Sequence, residues 1–178
     1  MKTTQILIAG FGGQGILFSG KFLAYKGLKE ELQVSWLPSY GPEMRGGTAN
    51  CNVILSDDPV GSPIITEPDV LIAMNAPSLQ KYVNSVRVGG QIYVDSSLIS
   101  VKVERSDVEV FYIPATQMAK DAGIGTLANM IIVGHLLENN PELSFDGAEA
   151  VVDGLVPPKK AALKELNMKA LLLGKDYK

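Results

Sequence analysis

A glycine-rich turn near the amino terminus has the residue types that could bind a phosphate. Residues 10–15 read Gly-Phe-Gly-Gly-Gln-Gly, which fits the pattern G-x-G-x-x-G. The apolar run from Gln5 to Ala9 predicts a buried strand before the turn, and helical spacing of apolar residues to about Lys29 predicts a helix after it. Backbone N–H groups at the start of such a helix can face an anion. The candidate cofactor-binding residues here are Gly10, Gly12, Gly13, Gln14 and Gly15.

The predicted second strand argues against one ligand for this turn. A dinucleotide site expects an acidic residue about 20 residues beyond the glycines, where it holds the ribose hydroxyls. The strand instead ends in Trp-Leu-Pro-Ser at residues 36–39. NAD is therefore disfavoured. Two interpretations stay open: the glycines serve only a tight turn and close packing, or they approach the phosphate of another coenzyme.

A second glycine-rich segment, residues 39–48, reads Ser-Tyr-Gly-Pro-Glu-Met-Arg-Gly-Gly-Thr. Glycine lets the backbone approach a ligand closely, and arginine offers a planar fork to a carboxylate or phosphate. We expect a contact with a substrate or partner, and the alternative is an internal Glu43–Arg45 pair. The candidate cofactor-binding residues of this segment are Tyr40, Glu43, Arg45, Gly46 and Gly47.

Other polar residues follow predicted strands, where parallel α/β sheets bind their ligands. Asn75 follows the apolar run 70–74 and is a further candidate for cofactor binding. Asp95–Ser97 could bind a polar ligand or cap the next element. Cys51 is predicted to be a buried strand residue, and His135 a packed residue of an apolar helix. We therefore predict no catalytic residue.

Composition limits the chemistry that the chain can perform alone. One cysteine excludes an intrachain disulfide, and an iron–sulfur cluster usually needs four thiolates. The single histidine has none of the short spacings of zinc ligands. We predict no metal site and no cofactor bound by this chain alone. A formal charge of −3 disfavours nucleic acid and anionic membranes as partners, and the absence of a signal peptide favours the cytoplasm.

The order of predicted elements indicates the fold. Apolar strands alternate with helical segments along the 178 residues, with no linker or repeat to divide them. Such alternation predicts a mostly parallel sheet with right-handed crossovers. The expected fold is therefore α/β: a Rossmann-like, three-layer single domain spanning 1–178, with helices on both faces of the sheet.

Together the two glycine segments resemble the gamma subunit of 2-oxoacid:ferredoxin oxidoreductases. The similarity extends over nearly the whole chain, including Pro68–Asn75, Asp95–Ser97 and the helix with Asn129 and Met130. It implies a complex that oxidatively decarboxylates a 2-oxoacid on thiamine diphosphate, passes electrons through iron–sulfur clusters to ferredoxin, and transfers the acyl group to coenzyme A.

The same resemblance implies which parts belong to other chains. Thiamine diphosphate and the clusters would belong to alpha, beta and delta portions, with delta present in some complexes. The loop 40–48 would point toward these subunits and the coenzyme A path. The chain is most similar to 2-oxoglutarate members, while pyruvate, branched-chain and indolepyruvate members stay open. The alternatives are a free-standing nucleotide- or coenzyme-binding module and, disfavoured, an NAD-dependent dehydrogenase.

Overall fold

The computed structural model describes residues 2–39 and 48–178, and it has the predicted α/β architecture. The six strands are β1 (Thr3–Phe11), β2 (Gln33–Ser39), β3 (Thr48–Ser56), β4 (Val70–Ala73), β5 (Gln91–Asp95) and β6 (Glu109–Ile113). The α-helices are α1 (Ile16–Lys29), α2 (Ala76–Tyr82), α3 (Ala115–Asp121), α4 (Ala128–Asn139), α5 (Ala148–Leu155) and α6 (Ala161–Asp176).

The strands form one sheet in the order β2-β3-β1-β4-β5-β6. Strands β1, β4, β5 and β6 are mutually parallel, which confirms the prediction of a mostly parallel sheet. Strand β3 is antiparallel to both β1 and β2. The chain between β2 and β3 is short, and a parallel crossover needs about a dozen residues or more, so these two strands run in opposite directions.

Helices cover both faces of the sheet, because successive strand side chains point to opposite sides. Ile6 and Ile8 of β1 join a large core to which five helices contribute, and Leu7 joins a smaller core with Leu79 of α2. Phe22 of α1 is fully buried in the large core. Within the described residues, no helix is both long and apolar enough to span a membrane.

Helix α4 is buried on all sides, as its apolar sequence predicts. Every residue from Ala128 to Leu137 is buried. Its backbone lies directly against α6 at Gly134, which has no side chain to separate the helices. A Cβ added there would overlap the carbonyl oxygen of Leu171. This close contact fixes the position of α4, whose first turn lies beside the glycine-rich turn.

Two helices begin later than their apolar patterns predict. The amphipathic pattern from Phe145 to Leu155 predicts a helix, but α5 begins at Ala148, because Ser144 accepts a hydrogen bond from the Asp146 amide and Gly147 has a φ of 76°. The apolar pattern from Thr126 to Leu137 predicts a helix, and α4 begins at Ala128. Both shifts are confined to turn residues, and the helices themselves lie where the sequence predicts them.

Candidate functional site

The candidate residues that the structure describes lie at the edge where β1 and β4 end. Phe11 at the end of β1 pairs with Thr48 at the start of β3, and Ser39 pairs with Asn50. Ser39 and Thr48, the described residues on either side of positions 40–47, thus both lie at this edge. The candidates Tyr40, Glu43, Arg45, Gly46 and Gly47 lie outside the described residues.

Gln14 closes the glycine-rich turn from within. Its side-chain oxygen accepts a hydrogen bond from the Phe11 amide at 2.6 Å, and its side-chain nitrogen donates to the Met74 carbonyl at 3.0 Å. Gly10 leaves room for this amide, since a Cβ there would lie 2.6 Å from the Gln14 oxygen. Both candidates therefore have a structural role, which ties the end of β1 to the end of β4.

Gly15 is the N-cap of α1 and has a left-handed conformation, with a φ of 75°. Asn129, in the first turn of α4, donates a hydrogen bond to its carbonyl oxygen at 3.1 Å. A Cβ at Gly15 would lie 2.5 Å from the Asn129 nitrogen. Glycine is required here both by the positive φ and by this close approach.

Gly12 and Gly13 face an open cavity beside the start of α1. The cavity has a volume of about 270 Å³, and the turn glycines, Phe11, the first turn of α1 and Ala49 line it. Gly13 has a φ of 93°, and no described atom lies within 4 Å of the place where its Cβ would be. No described side chain caps the first turn of α1, so its backbone N–H groups have no side-chain partner among the described residues.

Asn75 is buried at the N-terminus of α2, only 2% exposed. Its side-chain oxygen accepts a hydrogen bond from the Ser78 amide at 2.8 Å. Its side-chain nitrogen has no partner among the described residues, and neither has the Ser78 hydroxyl. Buried polar groups are almost always paired, so a donor without a partner at this edge suits a ligand or ordered water.

Asp95 is a cap rather than a ligand site. Its carboxylate is fully buried and accepts hydrogen bonds from the Thr116 hydroxyl at 2.6 Å and the Ser97 amide at 3.1 Å. The Ser97 hydroxyl accepts from the Gln117 amide at 3.0 Å. These contacts connect β5 to the start of α3 and favour the capping interpretation.

Cys51 and His135 are packed residues, as predicted. Burial raises the pKa of the Cys51 thiol from 9.0 to about 12, which removes the thiolate that a nucleophile or metal ligand needs. Burial lowers the pKa of His135, whose Nδ1 lies 3.0 Å from the Gly174 carbonyl oxygen. Among the described residues no three His, Cys, Asp or Glu side chains cluster to hold a metal ion.

Asn129 is a residue beside the candidate site that analysis of the turn alone missed. It follows the glycines by more than a hundred positions, with a separation of 114 from Gly15. The available signal was a polar residue at the start of a helix that is otherwise apolar. Such a residue needs a buried partner, and here that partner is the N-cap of α1.

A family model for pyruvate ferredoxin/flavodoxin oxidoreductase matches residues 5–177. Ketoisovalerate oxidoreductase subunit VorA of Methanothermobacter marburgensis is 33% identical over 99% of this chain, which spans only 37% of that relative. The 2-oxoglutarate synthase subunit KorC of the same organism is 34% identical. The match covers 97% of this chain and 95% of KorC.

Two solved structures have the same fold. The gamma subunit of a keto/oxoacid ferredoxin oxidoreductase from Geobacter sulfurreducens gives a TM-score of 0.81 at 31% identity, covering 96% of this chain and 95% of that one. The second is a 2-oxoglutarate:ferredoxin oxidoreductase from Magnetococcus marinus with 2-oxoglutarate, coenzyme A and succinyl-CoA bound. Its TM-score is 0.87 at 25% identity, and the match covers 98% of this chain and 31% of that one. The chain belongs to the pyruvate ferredoxin/flavodoxin oxidoreductase family and resembles its gamma subunits.

Proposed function

We propose that this chain is the gamma subunit of a multi-subunit, cytoplasmic 2-oxoacid:ferredoxin oxidoreductase and that its substrate is 2-oxoglutarate. The observation that carries this proposal is the end-to-end match to KorC, which is covered to 95% of its length. The VorA relative has a similar sequence identity, but this chain covers only 37% of it. The activity of the whole VorA protein is therefore a weaker guide to the substrate of this chain. Residues 1–178 act as one unit beside alpha and beta subunits and, in some complexes, delta.

The reaction requires groups that other subunits supply. A 2-oxoacid and coenzyme A yield acyl-CoA, carbon dioxide, a proton and two electrons, which reach ferredoxin through iron–sulfur clusters. Thiamine diphosphate, held by other subunits, would supply the decarboxylation chemistry. The fully buried Cys51, with its raised pKa, does not fit a cluster ligand. The role of this chain is therefore to form an interface and part of the coenzyme A path.

The coenzyme A contact lies at the glycine-rich turn. A phosphate fits beside Gly12 and Gly13, where the backbone is open and the N-terminus of α1 provides partial positive charge. No acidic residue lies in the first turn of α1 to oppose an anion. Arg45 provides the fork of donors that a phosphate prefers, and Tyr40, Glu43, Gly46, Gly47 and Asn75 complete the proposed contact.

The test is anaerobic affinity purification of the tagged chain from its own cells, followed by identification of co-purifying subunits. Dye reduction is then assayed with 2-oxoglutarate, pyruvate, 2-ketoisovalerate and indolepyruvate, each with and without coenzyme A. The proposal predicts thiamine- and cluster-bearing partners and highest kcat/KM for 2-oxoglutarate. A complex that prefers another 2-oxoacid contradicts only the substrate assignment.

The second candidate function is a free-standing coenzyme-binding module, favoured by the open first turn of α1. It predicts that the chain purifies without partners and binds coenzyme A or a nucleotide by itself. Isothermal titration of the isolated chain distinguishes the two functions. The gamma-subunit proposal predicts weak binding without the other subunits, because they supply the rest of the coenzyme A path.

A further inference from the structure

Asn129 holds the N-cap of α1 from a different helix. Its side-chain nitrogen donates to the Gly15 carbonyl at 3.1 Å and to the Ser19 hydroxyl at 3.0 Å. The Ser19 amide donates to the same Gly15 carbonyl at 3.0 Å, which is the first hydrogen bond of the helix. One buried side-chain amide from α4 therefore forms two hydrogen bonds with the first turn of α1 and its N-cap.

This arrangement differs from an ordinary helix cap. An N-cap Ser, Thr, Asp or Asn usually accepts a hydrogen bond from the N–H groups of the first turn and so occupies them. Gly15 has no side chain to do this. The side-chain nitrogen of Asn129 instead fixes the N-cap by donating to the backbone carbonyl of Gly15. The first turn is thus held in place while its N–H groups stay free of any described side chain.

The side chain of Asn129 lies between the turn and the start of α4. Asn129 is only 2% exposed, and its side-chain oxygen, which can only accept hydrogen bonds, has no partner among the described residues, so it suits a donor group of a ligand or ordered water. That oxygen would lie 3.0 Å from a Cβ at Gly15, so it is next to the turn. In addition, α4 begins at Ala128, so the positive ends of two helices lie side by side. An anion near them relieves this repulsion.

We propose that Asn129 is a positioning residue for coenzyme A, which orients the first turn of α1 toward a phosphate group. This inference rests on the proposed function and assigns a role to a residue outside the glycine pattern. Loss of the Asn129 amide removes one of the two hydrogen bonds that the Gly15 carbonyl accepts and lets the first turn move. The affinity for coenzyme A then falls, whereas the decarboxylation on the other subunits continues at its own rate.

The test compares Asn129→Ala with Asn167→Ala in the assembled complex. Asn167 is a matched control: it is 4% exposed, its side-chain nitrogen donates to the Leu163 carbonyl at 2.7 Å, and its oxygen also lacks a described partner. It lies in α6, away from the turn. Both variants should lower the melting temperature. Only Asn129→Ala should raise the KM for coenzyme A, by about tenfold, with kcat at saturating coenzyme A within about twofold.

A milder variant covers the case in which Asn129→Ala does not assemble. Ser19→Ala removes one of the two acceptors of the Asn129 amide and should raise the KM for coenzyme A by about threefold, with kcat unchanged. Equal KM values for wild type and Ser19→Ala would overturn the inference. So would equal KM increases in Asn129→Ala and Asn167→Ala, because they would indicate a general effect of instability.

A second pair of variants separates this inference from the proposed function. Gly13→Asp and Gly13→Asn carry the same backbone strain at a φ of 93°, so they differ in charge alone. A higher KM for coenzyme A in Gly13→Asp supports the phosphate site. If that difference appears while Asn129→Ala has no effect, the inference fails and the proposed function stands. If neither has an effect, both fail.

Discussion

The two edges of the sheet differ in how they use their polar groups. The carboxyl edge, formed by residues 10–16 with Thr48 and Asn75, has a cavity of about 270 Å³ lined by glycine and apolar residues. The amino edge has a larger cleft of about 470 Å³, lined by charged residues including Lys2, Asp69 and Arg87.

The charges of the amino edge are already paired within the chain. Lys2 bonds Glu142 at 2.5 Å, and Arg87 bonds Asp69 at 2.5 Å. Gln91 donates to the Glu109 carboxylate at 2.8 Å. At the carboxyl edge, by contrast, the donors of the first turn of α1 and of Asn75 lack described side-chain partners. Available donors, rather than cavity volume, therefore identify the candidate site.

The largest predicted effect concerns Cys51, whose thiol donates to the Ile16 carbonyl at 3.5 Å and so reports on packing at the carboxyl edge. With its pKa raised from 9.0 to about 12, alkylation at pH 8 should be about a thousandfold slower in the folded chain than in urea. Mass spectrometry over a time course measures both rates. Rates within tenfold of each other would show that this edge opens readily.

The same pKa shift predicts loss of stability in alkali. Because the folded state keeps the thiol protonated, the stabilisation is complete below pH 9.0 and is lost as the pH rises to about 12. Cys51→Ala removes this contribution, and its free energy of unfolding should fall less steeply over that range. Parallel curves for the two proteins would contradict the shift.

The next largest effect is at the amino edge. Asp69 is 8% exposed, and its carboxylate accepts a hydrogen bond from the Gln5 amide at 2.6 Å as well as pairing with Arg87. Asp69→Ala should lower the free energy of unfolding by about 2 kcal/mol, measured by urea denaturation. The KM for coenzyme A should not change. A raised KM would indicate that coenzyme A binds at the amino edge rather than at the carboxyl edge.

A smaller effect distinguishes two glycines of the same turn. Gly15→Ala and Gly13→Ala both place a side chain at positive φ, but only at Gly15 would the Cβ collide with Asn129. We expect Gly15→Ala to be less stable than Gly13→Ala by about 1–2 kcal/mol in urea denaturation. Equal stability of the two variants would show that the Asn129 contact is not tight.

Local pattern was enough to predict much of the fold and the position of the glycine-rich turn within it. The apolar runs predicted each of the six described strands, and the glycine pattern predicted the turn between β1 and α1. The antiparallel direction of β3 depends on the short connection 40–47, which the alternation rule ignores. Cys51 and His135 were correctly interpreted as packed residues because each lies within an apolar element.

What the sequence could not predict depends on contacts between distant residues. Gln14 fits the loosest position of the glycine pattern, yet it bonds the Met74 carbonyl 60 residues away. Asn129 reaches Gly15 across 114 residues. No local propensity encodes either contact, since both form only when β4 and α4 pack beside the turn. Their roles became visible from distances rather than from residue types.

The most direct test of the carboxyl-edge site is hydrogen exchange by mass spectrometry on the assembled complex, with and without coenzyme A. We expect slower exchange of the amides in residues 11–18 when coenzyme A is present, because its phosphate would occupy the first-turn N–H groups. Residues 87–91 at the amino edge should exchange at the same rate in both samples. Protection at the amino edge with none at residues 11–18 would contradict the account.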